Sequence, residues 1–155
     1  MRLRARTVLA LGALVILAIP PVVFLGAALQ AGLSLTGSFS AMSAQYTAPR
    51  QNLLVCGAVG LLPLALLAVV IGLMKRFAPR GPNRAVVAIG GLLPVLAVLL
   101  WVNWDFWPLF LPDRTYPGFP HGLGFVTGPL IFAPIGMAVG MLISWFAGRK
   151  DSQRR

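Results

Sequence analysis

The charged residues of this chain stand in short clusters, and the runs between the clusters carry none. No Asp, Glu, Lys or Arg lies between Arg6 and Arg50, Arg50 and Lys75, Arg84 and Asp105, or Arg114 and Arg149, gaps of 43, 24, 20 and 34 residues. A helix needs about 20 predominantly apolar residues to cross the hydrocarbon of a bilayer. The two middle gaps each fit one span, and the two outer gaps each fit a span with a polar loop. A soluble domain carries about 25% charged residues to cover its surface. This chain has 10%, with 58% hydrophobic residues. The same figures exclude disorder and a coiled coil, and a single cysteine excludes a disulfide scaffold.

Residue types place the spans. Thr7–Leu29 is apolar, and the chain then turns to Ser, Thr, Gln and Gly. Gln51–Met74 holds eight Leu, four Val and one Ile. On an insertion scale those thirteen side chains contribute roughly −4 to −8 kcal/mol. Ala85–Val102 forms a third run, extended by the aromatic residues to Trp104, and Phe125–Ala147 a fourth, the weakest because of Pro129, Pro134 and several Gly. The expected fold is an all-α integral membrane protein: one domain of four transmembrane helices over about 7–29, 51–74, 85–104 and 125–147, kinked by proline, with two extracytoplasmic loops.

The basic residues set an orientation. Arg2, Arg4 and Arg6 precede the first span, Lys75, Arg76, Arg80 and Arg84 lie between the second and third, and Arg149, Lys150, Arg154 and Arg155 follow the fourth. Only Arg50 and Arg114 lie on the other side. The positive-inside rule then puts both termini and the 75–84 loop in the cytoplasm, as in a multi-pass protein of an inner (plasma) membrane. The net charge of +10 is explained by these clusters, whose basic residues meet anionic headgroups at about 1 kcal/mol each. Nucleic-acid binding is not expected, since no recognition fold can be built around them. The N-terminus resembles a signal peptide, but its apolar run of about 23 residues exceeds the usual 7–15, so the first helix is expected to stay attached.

The first outer loop alternates apolar and hydroxyl residues from Leu33 to Ala41. That pattern predicts either a short extended segment with one apolar face or a flexible polar loop. The second, Asn103–Gly124, holds Trp104, Phe106, Trp107, Phe110, Tyr116 and Phe119, with four prolines that exclude a long helix. Its rings are expected at headgroup level. Asp105, Asp113 and His121 are the candidate catalytic residues: the His as proton carrier, an Asp to orient it. The simpler account is an ordinary wet loop with Asp and Pro in turns. One His and two separated Asp make no zinc or iron set, so neither metal nor cofactor is expected.

No span contains an ionisable side chain other than Cys56, which counts against ion-coupled transport. Pro20, Pro63, Pro94 and Pro134 are candidate hinges. Each removes an amide and frees the carbonyl four residues back, Val59 and Gly90 for instance; the simpler account is the ordinary kinking of membrane helices. Gly128, Gly136, Gly140 and Ser144 form a small-residue stripe on the fourth span that lets another helix approach closely. Packing within the bundle is favoured over dimerisation. By elimination the expected function is that of a non-catalytic accessory or assembly subunit. It would bind a membrane-protein partner, or its own copies, through the Gly stripe or the outer aromatic loop. An oligomeric pore or lipid/solute transporter, and a membrane enzyme using the 105–121 loop, are the alternatives.

Overall fold

The computed structural model describes residues 4–48, 52–78, 81–111 and 120–153. Every assigned element among them is helical: α1 (Ala5–Gln30), α2 (Leu35–Thr47), α3 (Leu53–Phe77), α4 (Arg84–Phe106), a 3-10 turn (Trp107–Phe110), α5 (Pro120–Thr127), a π turn (Gly128–Phe132) and α6 (Ala133–Gln153). Four stretches are long and apolar enough to cross a membrane: Ala5–Gln30, Leu53–Phe77, Arg84–Phe110 and Leu123–Gly148. The fourth joins α5, the π turn and α6. Each of α1, α3 and α4 runs through its prolines, Pro20 and Pro21, Pro63 and Pro94, without a break in the helix.

Local chemistry sets the ends of these helices. α1 stops at Gly32, whose φ of 88° lies in the left-handed region. Its N–H donates to the Leu29 carbonyl, and the Leu33 N–H reaches back to Ala28 O at 3.1 Å. These two bonds close the helix as a Schellman motif, which only glycine enters at no steric cost. Asn52 starts α3 by accepting from the amides of Leu54 and Val55, and its side-chain amide donates to the Tyr46 carbonyl, tying α3 to the end of α2. Asn83 starts α4 by accepting from the Ala85 amide at 3.0 Å.

The alternating segment is neither a strand nor a loop. Ser34 caps α2 by accepting from the Gly37 amide at 3.1 Å. A side-chain acceptor satisfies one of the orphan amides of the first turn, and this starts a helix. The packed face of α2 runs through Ser38, Ala41, Met42, Gln45 and Tyr46, a helical spacing, while Leu35 and Phe39 point outward. The period-two pattern is a by-product of the outward apolar residues. Two side-chain atoms on the packed face, Ser38 Oγ and Gln45 Oε1, are buried without a hydrogen-bond partner.

In the bundle α4 is central, packing on α6, α1 and α3, and α1 also packs along α3. The interior is aliphatic, with Ile16, Leu67, Val87 and Val95 fully enclosed. Large apolar side chains such as Leu14, Leu93 and Ile143 point outward. Outward apolar surface of this extent fits a lipid environment rather than water.

The fourth span is held differently. Between Pro129 and Pro134 the helix widens, and the Ala133 amide bonds to Gly128 O, five residues back. Pro129 and Pro134 supply no amide to this stretch, and here, unlike at Pro63 and Pro94, the ladder widens into a π turn. In an apolar 18-residue stretch of Leu123–Gly148 only 22% of the residues are buried, against 39–44% in the equivalent stretches of the other three spans.

Candidate functional site

At the end of the bundle formed by α2 and the start of α3, α4 continues beyond the predicted edge at 104. The helical repeat then puts Leu99, Asn103, Phe106 and Trp107 on one inward face. Asn103 is buried, and both of its polar side-chain atoms are bonded. Its Nδ2 donates to the Leu99 carbonyl at 2.8 Å, and its Oδ1 accepts from Trp107 Nε1 at 2.8 Å. Trp107, with no exposed surface, stands edge-on to Phe24 at 5.8 Å and to Phe106 at 5.1 Å. Phe106 is tilted against Phe125 at 4.5 Å. The rings of Phe106 and Trp107 therefore pack inside the bundle rather than lying along its outer surface. Trp104 does face outward.

Of the candidate catalytic trio, the described residues give the surroundings of Asp105 alone. Asp105 is exposed on α4, on the side away from Asn103. His121 belongs to α5, a separate element. Asp113 lies outside the described residues, as does Arg114. Among the described residues no three of His, Cys, Asp and Glu gather where a metal ion could be held.

The stripe of small residues on the fourth span faces α4. A Cβ at Gly140 would run into the carbonyl oxygen of Gly90 and lie 3.0 Å from Pro94 Cγ. A Cβ at Gly90 would meet Ser144 Oγ and sit 2.7 Å from Gly140 O. At Gly136 it would come within 3.0 Å of Pro94 Cβ, and at Gly128 it would strike Val102 Cγ2. The Pro94 ring thus seats in a notch one helical turn long, between Gly136 and Gly140. The carbonyl that Pro94 frees is that of Gly90, four residues back. It lies against the Gly140 backbone, where a weak Cα–H donor is available. Of the other hinge candidates, Pro20 and Pro63 are fully buried, and Pro134 follows the π turn.

The basic residues gather at the opposite end. Arg4, Arg6, Lys75 and Arg84 line one cavity of about 630 Å³ where α1 and α4 begin and α3 ends. The C-terminal part of α6 reaches the same end, since a Cβ at Gly81 would touch Trp145 and one at Gly148 would touch Pro82. Arg76 turns aside, its guanidinium 5.6 Å from the centre of the Phe77 ring. Arg149 and Lys150 lie in the last turns of α6, and Arg2 and Arg80 lie outside the described residues.

Sequence reasoning gave Asn103 no role, placing it where the third span meets the second outer loop. The signal was its spacing of four from both Leu99 and Trp107. It also had no means of joining Arg4 to Lys75 and Arg84, which are remote in the chain. No protein family, curated protein or solved structure matches the chain.

Proposed function

We propose that the chain is a multi-pass protein of an inner-membrane type, with both termini in the cytoplasm, serving as a non-catalytic accessory subunit that docks on another membrane protein. The observation that carries this reading is the uneven enclosure of the four spans. With 22% of its apolar 18-residue stretch buried, the fourth leaves an unbroken row of large apolar side chains outward, including Ile135, Val139, Leu142, Ile143 and Phe146. The small-residue stripe is already used by α4, so the partner surface is this outward row, with Trp101 and Phe132 (ring centroids 6.4 Å apart) at one edge. The interior supports the same reading. The buried polar side chains among the described residues are Ser38 and Asn103, both neutral, and Asn103 is committed to Trp107.

Orientation rests on the split of basic residues. Reporter fusions after residues 79 and 115 are expected to read cytoplasmic and external respectively. The reverse pattern would overturn the orientation and leave the fold untouched.

The docking role is tested by placing a photo-crosslinking amino acid at Ile135 or Ile143, and at Leu14 on α1 as the control. Irradiated membranes should yield one discrete protein adduct from the first two positions and lipid adducts alone from the third. An adduct of twice the chain's own mass would favour the homo-oligomer reading. Lipid adducts alone at all three positions would sink the accessory role.

A further inference from the structure

The cavity at the basic end has a chemistry that diffuse headgroup attraction does not explain. Its four cationic side chains, Arg4, Arg6, Lys75 and Arg84, come from three helices and from positions up to 80 residues apart, yet they converge on one opening. Among the described residues that line it, none is acidic. Four like charges held around a cavity repel one another unless an anion joins them. Beneath them the walls turn apolar, with Leu9 and Ile71 partly or fully buried. The side toward Ala68 and Gly72 is open, and a Cβ at Gly72 would meet nothing within 4 Å.

The start of α1 adds to the same field. Arg4 is its N-cap and makes no side-chain capping bond, and the first turn contains no acidic residue. The first intrahelical donors to Arg4 O are the amides of Thr7 and Val8, so the amides before them are left for an external acceptor. A helix of 26 residues presents its positive end here. The cavity volume of about 630 Å³ falls in the range of small-ligand sites.

We infer that this cavity is a binding site for the phosphate of an anionic phospholipid, held by Arg4, Arg6, Lys75 and Arg84 with an acyl chain laid along α3 past Ala68 and Gly72. Basic pockets between transmembrane helices suit such headgroups because cation and phosphate meet at the edge of the hydrocarbon. The apolar furrow selects a lipid over free phosphate, which would use the cations alone. The inference rests on the membrane reading of the chain and not on the docking role. Its failure would therefore leave the crosslinking result standing.

The test uses the full chain in a neutral detergent and measures the dissociation constants of dioctanoyl phosphatidylglycerol, dioctanoyl phosphatidylcholine and inorganic phosphate. The glycerol lipid should bind about tenfold or more tightly than the choline lipid. At the strength of one surface cation each, the double variant Arg4→Gln/Arg84→Gln should weaken it about thirtyfold. Arg76→Gln, outside the cavity lining, should change it less than about threefold. Gly72→Leu, whose Cβ would enter open space, should weaken the lipid and leave the melting temperature unchanged. It keeps the test alive should the double variant fail to fold. Equal affinity for the two lipids would overturn the site. So would equal losses from Arg76→Gln and the double variant. Inorganic phosphate binding as tightly as the glycerol lipid, with no effect of Gly72→Leu, would overturn the lipid assignment in favour of a soluble anion.

Discussion

Trp107→Ala is expected to destabilise the protein by about 3–5 kcal/mol, the range for removing a large enclosed aromatic side chain. The indole has no exposed surface and is walled by Phe24, Phe106 and Phe110. Its loss opens a cavity that these rings fill only in part. It also removes the donor to Asn103 Oδ1, leaving a buried acceptor unpaired. Trp107→Phe shifts the balance between the two effects, because it keeps a six-membered ring in the site while losing the N–H and a smaller part of the volume. Its cost should be about 1–3 kcal/mol, that of one unsatisfied buried polar group. In the double variant Trp107→Phe/Asn103→Leu the polar debt is cancelled, so its loss should fall below the sum of the singles. Chemical denaturation in mixed micelles measures all three. A loss under about 1 kcal/mol for Trp107→Ala would mean that the ring is not enclosed as described.

The second large effect is expected at the seam between α4 and α6. Gly140→Leu should cost about 3 kcal/mol, the upper part of the usual range for overpacking. The first carbon of any side chain there meets backbone, the Gly90 carbonyl, rather than the tip of a flexible neighbour. Backbone cannot rotate away, so the helices must part, and with them goes the close packing that drives helix association in lipid. Ala138→Leu adds three of the same four carbons one face away, where the residue is exposed. It should shift stability by less than about 0.5 kcal/mol. Thermal melting of the two variants in one detergent decides the matter. Equal small shifts would show that the contact between Gly90 and Gly140 contributes little.

The four long helices were legible in the sequence for a thermodynamic reason. In hydrocarbon an unpaired backbone is so costly that an apolar run of sufficient length leaves the chain little choice but helix. The predicted and observed ends differ by a few residues: 7 against Ala5, 74 against Phe77, and 104 against Phe106. α2 was not legible because its inward face carries Ser38 and Gln45, so no apolar period of 3.6 marks it. The clue lay in Ser34, a capping residue read as loop chemistry. The inward turn of Phe106 and Trp107 was hidden for a different reason. An aromatic side chain near a span end suits the interface and the core equally, and only the neighbours Phe24 and Phe125, from other helices, decide between them. The stripe from Gly128 to Ser144 could be read as a ridge, but its partner could not. Pro94 and Gly90 had been noted for a freed carbonyl, not for the groove they make. The basic cavity depends on tertiary folding alone, since it is assembled from the beginnings of two helices and the end of a third.

The seam has a consequence for how such a chain can diverge. Gly90 and Gly140 each block the other's first side-chain carbon, and compensation between neighbours ordinarily works by one residue shrinking as the other grows. Here both are already at the smallest size available, so neither position can rescue a change at the other. Viable descendants would keep the pair fixed or shift α6 bodily along α4. Such a shift would leave its trace at Pro94 and Gly136, where the ring and its notch must move together. The two glycines should therefore behave as invariant and statistically silent, while covariation between these helices concentrates one turn away.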